Sequence, residues 1–232
     1  VIRENIIEIR ERIVKACAAS GRSSSEVTLI AITKNRQPEE VLKAIESGVT
    51  DIGENRVQEA MRKFNGLQQV INNKQIKRHL VGHLQTNKIK EALRLFDLIH
   101  SVDSIKLAVE IDRQAQRISQ SQDILVQINT SFEESKSGFT PQEAIEAVLE
   151  IAKFKNIKVK GLMTMAPVVK NPQEARVFFK NLRDIRDKIN SLTLIPYPLT
   201  HLSMGMSDDF EIAVQEGSTM VRLGRAVFGE QL

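Results

Sequence analysis

Hydrophobic and polar residues along this chain follow two rhythms that take turns. Short continuous apolar runs are followed by longer stretches in which apolar residues recur every three or four positions. The first run is Val27 to Lys34, VTLIAITK, β-branched and unbroken. Such a run reads as a strand buried on both faces, usual in a parallel sheet. Runs at Thr50–Ile52, Arg78–Val81, Asp97–Val102, Asp123–Asn129, Ile157–Met163, Leu199–Ser203 and Thr219–Leu223 repeat it.

The stretches between the runs read as helices. Ile2, Ile6, Ile9, Ile13 and Ala16 share one helical face, with Gly21 as the stop. Pro38 opens the next, with Val41, Leu42 and Ile45 inward and Gly48 closing it. A third is expected to end near Gly66, leaving Gln68–Gln75 as a polar connection. Ser104 is placed to cap a helix whose Ala108, Ile111, Ala115 and Ile118 align. Thr140, Pro141 and Glu143 form a capping box, and Asn171, Pro172 and Glu174 repeat the pattern. Ser207 is expected to open a helix that stops at Gly217, and GRAVFG at 224–229 starts a short last one.

Strands alternating with helices in this way predict an α/β fold, a single (β/α)8 TIM-type barrel. It is expected to be one domain over 1–232, with an extra N-terminal helix over 2–20 packed on the barrel. The alternative is an open doubly wound sheet, which carries a glycine-rich first turn of the G-x-G-x-x-G type. Lys34-Asn35-Arg36 is nothing like that turn.

Composition narrows the function. Apolar residues make up 41% and charged residues 27% of 232 positions, as in soluble globular proteins. No apolar run approaches a membrane span, so no membrane association is expected. The amphipathic N-terminal stretch VIRENIIEIRER is not a secretory signal. A single cysteine, Cys17, leaves no internal disulfide and fits a cytoplasmic setting. The net charge of +4 is spread out, and the densest basic patch, Lys74–Arg78, contains no aromatic residue. With no nucleic-acid motif either, specific nucleic-acid binding is not expected.

Candidate chemistry gathers where the loops after the strands would meet, on the rim that carries chemistry in such barrels. That rim would collect Lys34, Glu54, Asn55, His83, Gln85, Ser101, Asp103, Asn129, Met163, Thr164, 203–207 and 222–225. Gly224 lets backbone N–H groups approach an anion at a helix start, and Arg225 adds a cation. Ser203 and Gly205 would close the site from the neighbouring loop. Asp208 and Asp209, in the first turn of the helix at Ser207, would repel an anion there. A lysine across a barrel mouth from a phosphate site suggests pyridoxal 5'-phosphate, which offers an aldehyde to the amine and a phosphate to the helix start. Arg222, on the same side of its strand as Gly224, would face the pyridine nitrogen and disfavour a proton on it. Glu54 and Asn55 would orient the ring, and Met163 or Met204 would touch it. His79, His83, His100 and His201 lack the spacing of a zinc helix, so no metal site is expected. Lys136, beside Gly138, is a rival lysine and a candidate secondary site.

The segments ITK at 32–34, IGENRVQE at 52–59, HLVGHLQTNK at 79–88, IHSVDS at 99–104, GLMTMAP at 161–167, LSMGMSDDFE at 202–211 and GSTMVRLGRAVFG at 217–229 form an ordered series. Together they closely resemble the YggS/PROSC family, the pyridoxal phosphate homeostasis proteins. The resemblance runs over nearly the whole chain. It implies a barrel like the N-terminal domain of alanine racemase, and pyridoxal phosphate held as a Schiff base on Lys34. It also implies a role in vitamin B6 balance, and through it in amino- and keto-acid homeostasis, without established enzymatic activity. Partners would be pyridoxal phosphate itself and PLP-dependent apo-enzymes or regulatory proteins; a monomer is favoured. Two alternatives stand beside this reading: an amino-acid racemase or lyase using the same cofactor, and an interaction protein whose barrel is only a scaffold. The related racemases use a tyrosine opposite the lysine, whereas the only tyrosine here, Tyr197, precedes the seventh strand.

Overall fold

Every apolar run becomes a strand. They are β1 (Thr28–Ile32), β2 (Asp51–Glu54), β3 (Lys77–Leu80), β4 (Leu98–Val102), β5 (Gln122–Gln127), β6 (Ile157–Met163), β7 (His201–Ser203) and β8 (Met220–Leu223). The structure, a computed structural model, describes residues 1–131, 133 and 136–230. Phe132, Glu134 and Ser135, in the loop after β5, and Gln231 and Leu232 lie outside the described residues.

The strands pair in chain order, all parallel, and close into a barrel when β1 pairs with β8. That closure excludes the open doubly wound sheet. Successive strand residues point to opposite faces, and the buried apolar residues divide accordingly. Ile30, Ile32, Val81, Leu98, Leu125, Met163 and Met220 fill the lumen as one cluster. Ala31, Ile52, Leu80, Ile99, Leu162, Leu202 and Val221 join a second cluster under the helices.

Those helices are α1 (Ile2–Ala18), α2 (Pro38–Glu46), α3 (Val57–Asn73), α4 (Ile89–Leu95), α5 (Ile105–Arg117), α6 (Ala144–Ile151), α7 (Arg176–Ser191), α8 (Phe210–Gln215) and α9 (Arg225–Phe228). The Ser104 cap is present, its side chain accepting from the Leu107 N–H. Thr140 and Glu143 exchange the two bonds of a capping box just before α6. Helix α1 buries Ile6, Ile9, Ile13, Ala16 and Cys17 and packs on α8 and α9. There the Asn5 side chain donates to the Val227 carbonyl at 3.0 Å, and the Arg12 guanidinium lies 4.6 Å above the Phe210 ring.

Two helix boundaries differ most from the sequence expectation. Helix α3 does not end near Gly66 but continues to Asn73, replacing the polar connection. Leu67 and Ile71 continue the buried stripe of Ala60 and Phe64. Burying each gains roughly 1.5–3 kcal/mol, which outweighs the ~1 kcal/mol penalty of a helical glycine. Helix α8 starts at Phe210, not at Ser207. Asp209 is its N-cap, and the Asp209 carboxylate accepts from the Met206 N–H at 2.6 Å. Ser207 is used elsewhere.

Candidate active site

Lys34 follows β1 by one residue beyond Thr33. Ile30 and Ile32 face the lumen, so Lys34 continues their side of the chain at the carboxyl-end rim, where it is exposed. Its neighbours on both sides are pinned. The Thr33 hydroxyl donates to Glu54 Oε1 at 2.5 Å, and the Thr33 carbonyl accepts from Lys63 Nζ at 2.5 Å. On the other side the Asn35 N–H donates to Glu59 Oε1 at 2.5 Å. Lys63 joins the two halves, bonding Glu54 at 2.5 Å and Glu59 at 3.0 Å. Asn35 also takes φ of 57°, a left-handed conformation that asparagine tolerates better than most residues. The lysine therefore stands on backbone fixed by a buried Glu54–Lys63–Glu59 network. Glu54 serves this network, not the orientation of a ring, because it faces away from the lumen and is fully buried.

The anion-binding candidates come together on the neighbouring strand. By register Leu223 pairs with Ala31, which brings Gly224 level with Ile32. A Cβ on Gly224 would stand 3.6 Å from the Ile32 Cβ, so this end of β8 abuts the end of β1. The Ser207 hydroxyl accepts from the Ala226 N–H at 3.2 Å, tying the loop after β7 to the start of α9. Arg225 forms a salt bridge with Asp208. Gly205 has φ of 94°, and a Cβ there would lie 2.6 Å from the Ala213 Cβ. Its carbonyl accepts from the Arg222 N–H at 3.0 Å.

Ser203 and Met204 are not brought to this rim. Strand alternation sends Ser203 into the lumen and Met204, fully buried, into the layer beneath the helices. The Ser203 hydroxyl accepts from Arg222 Nη1 at 2.6 Å, and Arg222 Nη2 donates to the Thr164 carbonyl at 2.8 Å. Burial lowers the Arg222 pKa to about 10, with Asp209 opposing the shift, so the guanidinium stays charged at neutral pH. From Ser203 a line of polar side chains continues inward. His100 Nδ1 lies 2.8 Å from Ser203 Oγ, His79 Nδ1 lies 2.9 Å from His100 Nε2, and Asp51 Oδ1 lies 2.8 Å from His79 Nε2. Burial, with His79 and Arg222 nearby, pushes the His100 pKa well below its ordinary value.

Asn55 lines a cleft outside the lumen with Asn35, Arg36, Gly82 and His83. A Cβ on Gly82 would fall 2.3 Å from the Asn55 carbonyl oxygen, so only glycine lets the two loops meet. His83 is exposed and reaches Asp103 at 3.2 Å. Met163 lies in the lumen and His201 sits half-buried at the amino end of β7. Among the described residues no group of His, Cys, Asp or Glu is arranged to hold a metal ion. The rival lysine, Lys136, contacts Glu133 at 2.5 Å, and the Asn129 side chain donates to its carbonyl at 3.2 Å. Tyr197 lies in the loop before β7, its ring 5.4 Å from Lys158 Nζ. Lys63 escaped the sequence reading, and Ser207 was placed on the rim without a contact assigned to it. Lys63 had one local signal, its i,i+4 spacing from Glu59 on a helix. Ser207 was read as a helix opener.

Residues 5–231 match the family described as the alanine racemase N-terminal domain. A protein of Aquifex aeolicus named pyridoxal phosphate homeostasis protein is 39% identical over 228 residues, covering 98% of this chain and 97% of that protein. Among solved structures, a protein from Bifidobacterium adolescentis described as an unknown protein superposes with a TM-score of 0.92 at 39% identity, covering 98% of this chain and 94% of that one. PipY of Synechococcus elongatus, solved with PLP bound, superposes with a TM-score of 0.84 at 31% identity, covering 99% and 100%.

Proposed function

This chain belongs to the alanine racemase N-terminal domain family, and within it to the pyridoxal phosphate homeostasis proteins; from that premise we propose that it binds pyridoxal 5'-phosphate and holds it for delivery. The observation that carries the reading is the pinned lysine. Lys34 stands at the lumen mouth on a fixed backbone, beside the strand end that presents Gly224 and Arg225. The donor set fits the group: an amine for its aldehyde, a glycine–arginine corner for its phosphate and a charged guanidinium below for its ring nitrogen. When bound, pyridoxal phosphate supplies an aldehyde that condenses with an amine, and an electron-withdrawing ring.

The chain's own residues divide the work. Lys34 makes the covalent link. Gly205, Gly224 and Arg225 hold the phosphate, with Ser207 in the place expected for Ser203. Arg222 faces the ring nitrogen as a donor, which leaves no acceptor for a proton there and weakens the ring as an electron sink. Asn55 orients the ring edge from the second loop. Lys136 is a secondary contact site at most.

A racemase needs proton-transfer groups on both faces of its substrate. Tyr197 contacts Val159 and Lys158 near the amino ends of β6 and β7, away from the Lys34 rim. The reading is therefore a single-domain, cytoplasmic cofactor-holding protein acting in vitamin B6 balance without substantial turnover, its partners PLP-dependent apo-enzymes or regulatory proteins rather than nucleic acid. Borohydride reduction of the loaded protein, followed by peptide mapping, tests it. The expected result is modification of Lys34 and its loss in Lys34→Ala. Label mainly on Lys136, or none, would overturn the assignment.

A further inference from the structure

Barrel lumens are ordinarily filled with layers of branched apolar residues. Here a polar seam crosses the lumen from Arg222 near the carboxyl end of β8 to Asp51, the first residue of β2. Its members come from β8, β7, β4, β3 and β2 in turn. Ser203, His79 and His100 are all buried, and the Asp51 side chain is only 13% exposed.

The ends of the seam suggest a direction for the protons between them. A guanidinium can only donate and a carboxylate can only accept. Arg222 Nη1 donates to Ser203 Oγ at 2.6 Å, which leaves the single Ser203 hydroxyl proton available for His100 Nδ1 at 2.8 Å. An accepting Nδ1 places the His100 proton on Nε2, which donates to His79 Nδ1 at 2.9 Å. His79 then carries its proton on Nε2 and donates to Asp51 Oδ1 at 2.8 Å. The two rings meet edge to face, at 76°, a geometry that a bond between ring nitrogens allows. The Thr50 hydroxyl donates to the second Asp51 oxygen at 2.7 Å and fixes the terminal acceptor. The charged groups around His100 are Arg222 and, as titratable neighbours, His79 and His201; a second proton on it would stand beside the buried guanidinium.

We propose that Asp51, His79, His100 and Ser203 form a one-way hydrogen-bond relay that aims the Arg222 guanidinium at the cofactor site and spreads its charge to a carboxylate at the far end of the barrel. His79 and His100 are positioning residues, each accepting at Nδ1 and donating from Nε2. The proposal rests on the pyridoxal phosphate reading for what Arg222 faces, but not for the relay itself. Hydrogen-bonded side chains that orient metal ligands change affinity by about 10–100-fold when removed, and the lower end of that range is expected for a guanidinium oriented in the same way.

Nitrogen-15 histidine spectra of the full chain without cofactor test the relay directly. The four histidines are assigned with single His→Gln variants. The expected result is His79 and His100 both protonated on Nε2 alone at neutral pH. In Asp51→Ala the His100 tautomer becomes mixed, and bound pyridoxal phosphate is lost about tenfold faster with a shifted absorption band. Asp51→Asn, which keeps an acceptor oxygen, preserves the tautomers and restores retention, and melting curves confirm that each variant folds. An Nδ1–H or doubly protonated ring at either position overturns the relay. So does an Asp51→Ala variant with unchanged His100 signals. If the wild-type chain does not take up pyridoxal phosphate, the functional reading fails, while the tautomers still decide the relay.

Discussion

Lys63 lies on α3 and Thr33 at the end of β1, yet the Lys63 ammonium donates to the Thr33 carbonyl at 2.5 Å, one residue before Lys34. A lysine 6% exposed is held in place of a solvated one because three acceptors surround it: that carbonyl, Glu54 and Glu59. Removing one member of a buried pair leaves the other charge uncompensated and costs about 3–5 kcal/mol. Lys63→Met is therefore expected to destabilise by that order in chemical denaturation and to loosen the backbone beneath Lys34. Glu54→Gln combined with Lys63→Met should recover part of the loss. A single Lys63→Met variant as stable as the wild type would show that the network is not coupled to the fold.

The same network has a pH signature. Burial raises the Glu54 pKa above its ordinary 4.5, with Lys63 and Thr33 opposing the shift. The folded chain thus holds this proton more tightly than the unfolded chain. Its stabilising effect is complete below 4.5 and is lost as pH rises through the folded value. Glu54→Gln removes that titration, so the stability gap between wild type and variant should narrow as pH rises above 4.5. A gap that widens over this range would contradict the burial argument.

Arg225 and Asp208 pair on the surface, both more than half exposed. An incoming phosphate competes with Asp208 for the guanidinium. Exposed pairs are worth little, about 0–1 kcal/mol, so Asp208→Asn should strengthen pyridoxal phosphate retention by a few-fold at most. Gly224→Asp should do the opposite, sharply, by placing a carboxylate where the phosphate belongs. Spectroscopic titration at low and high salt distinguishes the two, and the Asp208→Asn gain should shrink as salt rises.

Gly205 is constrained both by its φ of 94° and by the Ala213 Cβ that an added methyl would meet at 2.6 Å. Gly205→Ala is expected to cost roughly 1–3 kcal/mol from backbone strain and overpacking. Because the Gly205 carbonyl accepts from Arg222, retention of cofactor should fall as well. Normal retention in a destabilised variant would separate the loop from the site.

Turnover on alanine, serine and other common amino acids should be slow or absent in the loaded protein. Lysine-dependent rates near 1 s⁻¹, roughly the lower end for ordinary enzymes, and absent from Lys34→Ala, would favour the racemase or lyase reading instead.

The barrel was legible in the sequence because each strand is a local apolar run whose period needs no tertiary information. The placement of Lys34 after β1 and of Gly224 and Arg225 after β8 was legible because strand ends are also local. Gly66 misled because a local breaker was weighed without Leu67 and Ile71, whose burial decides the helix. Ser203 misled for a subtler reason. One pleat separates a rim residue from a lumen residue, and β7 begins two residues later than its apolar run. The seam was not legible at all: Asp51, His79, His100, Ser203 and Arg222 acquire meaning only when five strands are placed around one axis.

The contact between Asn5 and Val227 joins positions 222 residues apart. During synthesis, helix α1 emerges with Ile6, Ile9 and Ile13 ready for burial, while α8 and α9, its main cover, are still untranslated. A nascent chain therefore exposes a sticky helix until the segment carrying α8 and α9 leaves the ribosome, the interval in which partly folded chains aggregate. Contacts of such long sequence separation form late, because loop closure must be met before they reward the chain. Pulse-labelled hydrogen exchange during refolding should show α1 gaining protection together with β8 and α9, not with the neighbouring β1 and α2. Early protection of α1 would show that it docks on a half-built barrel.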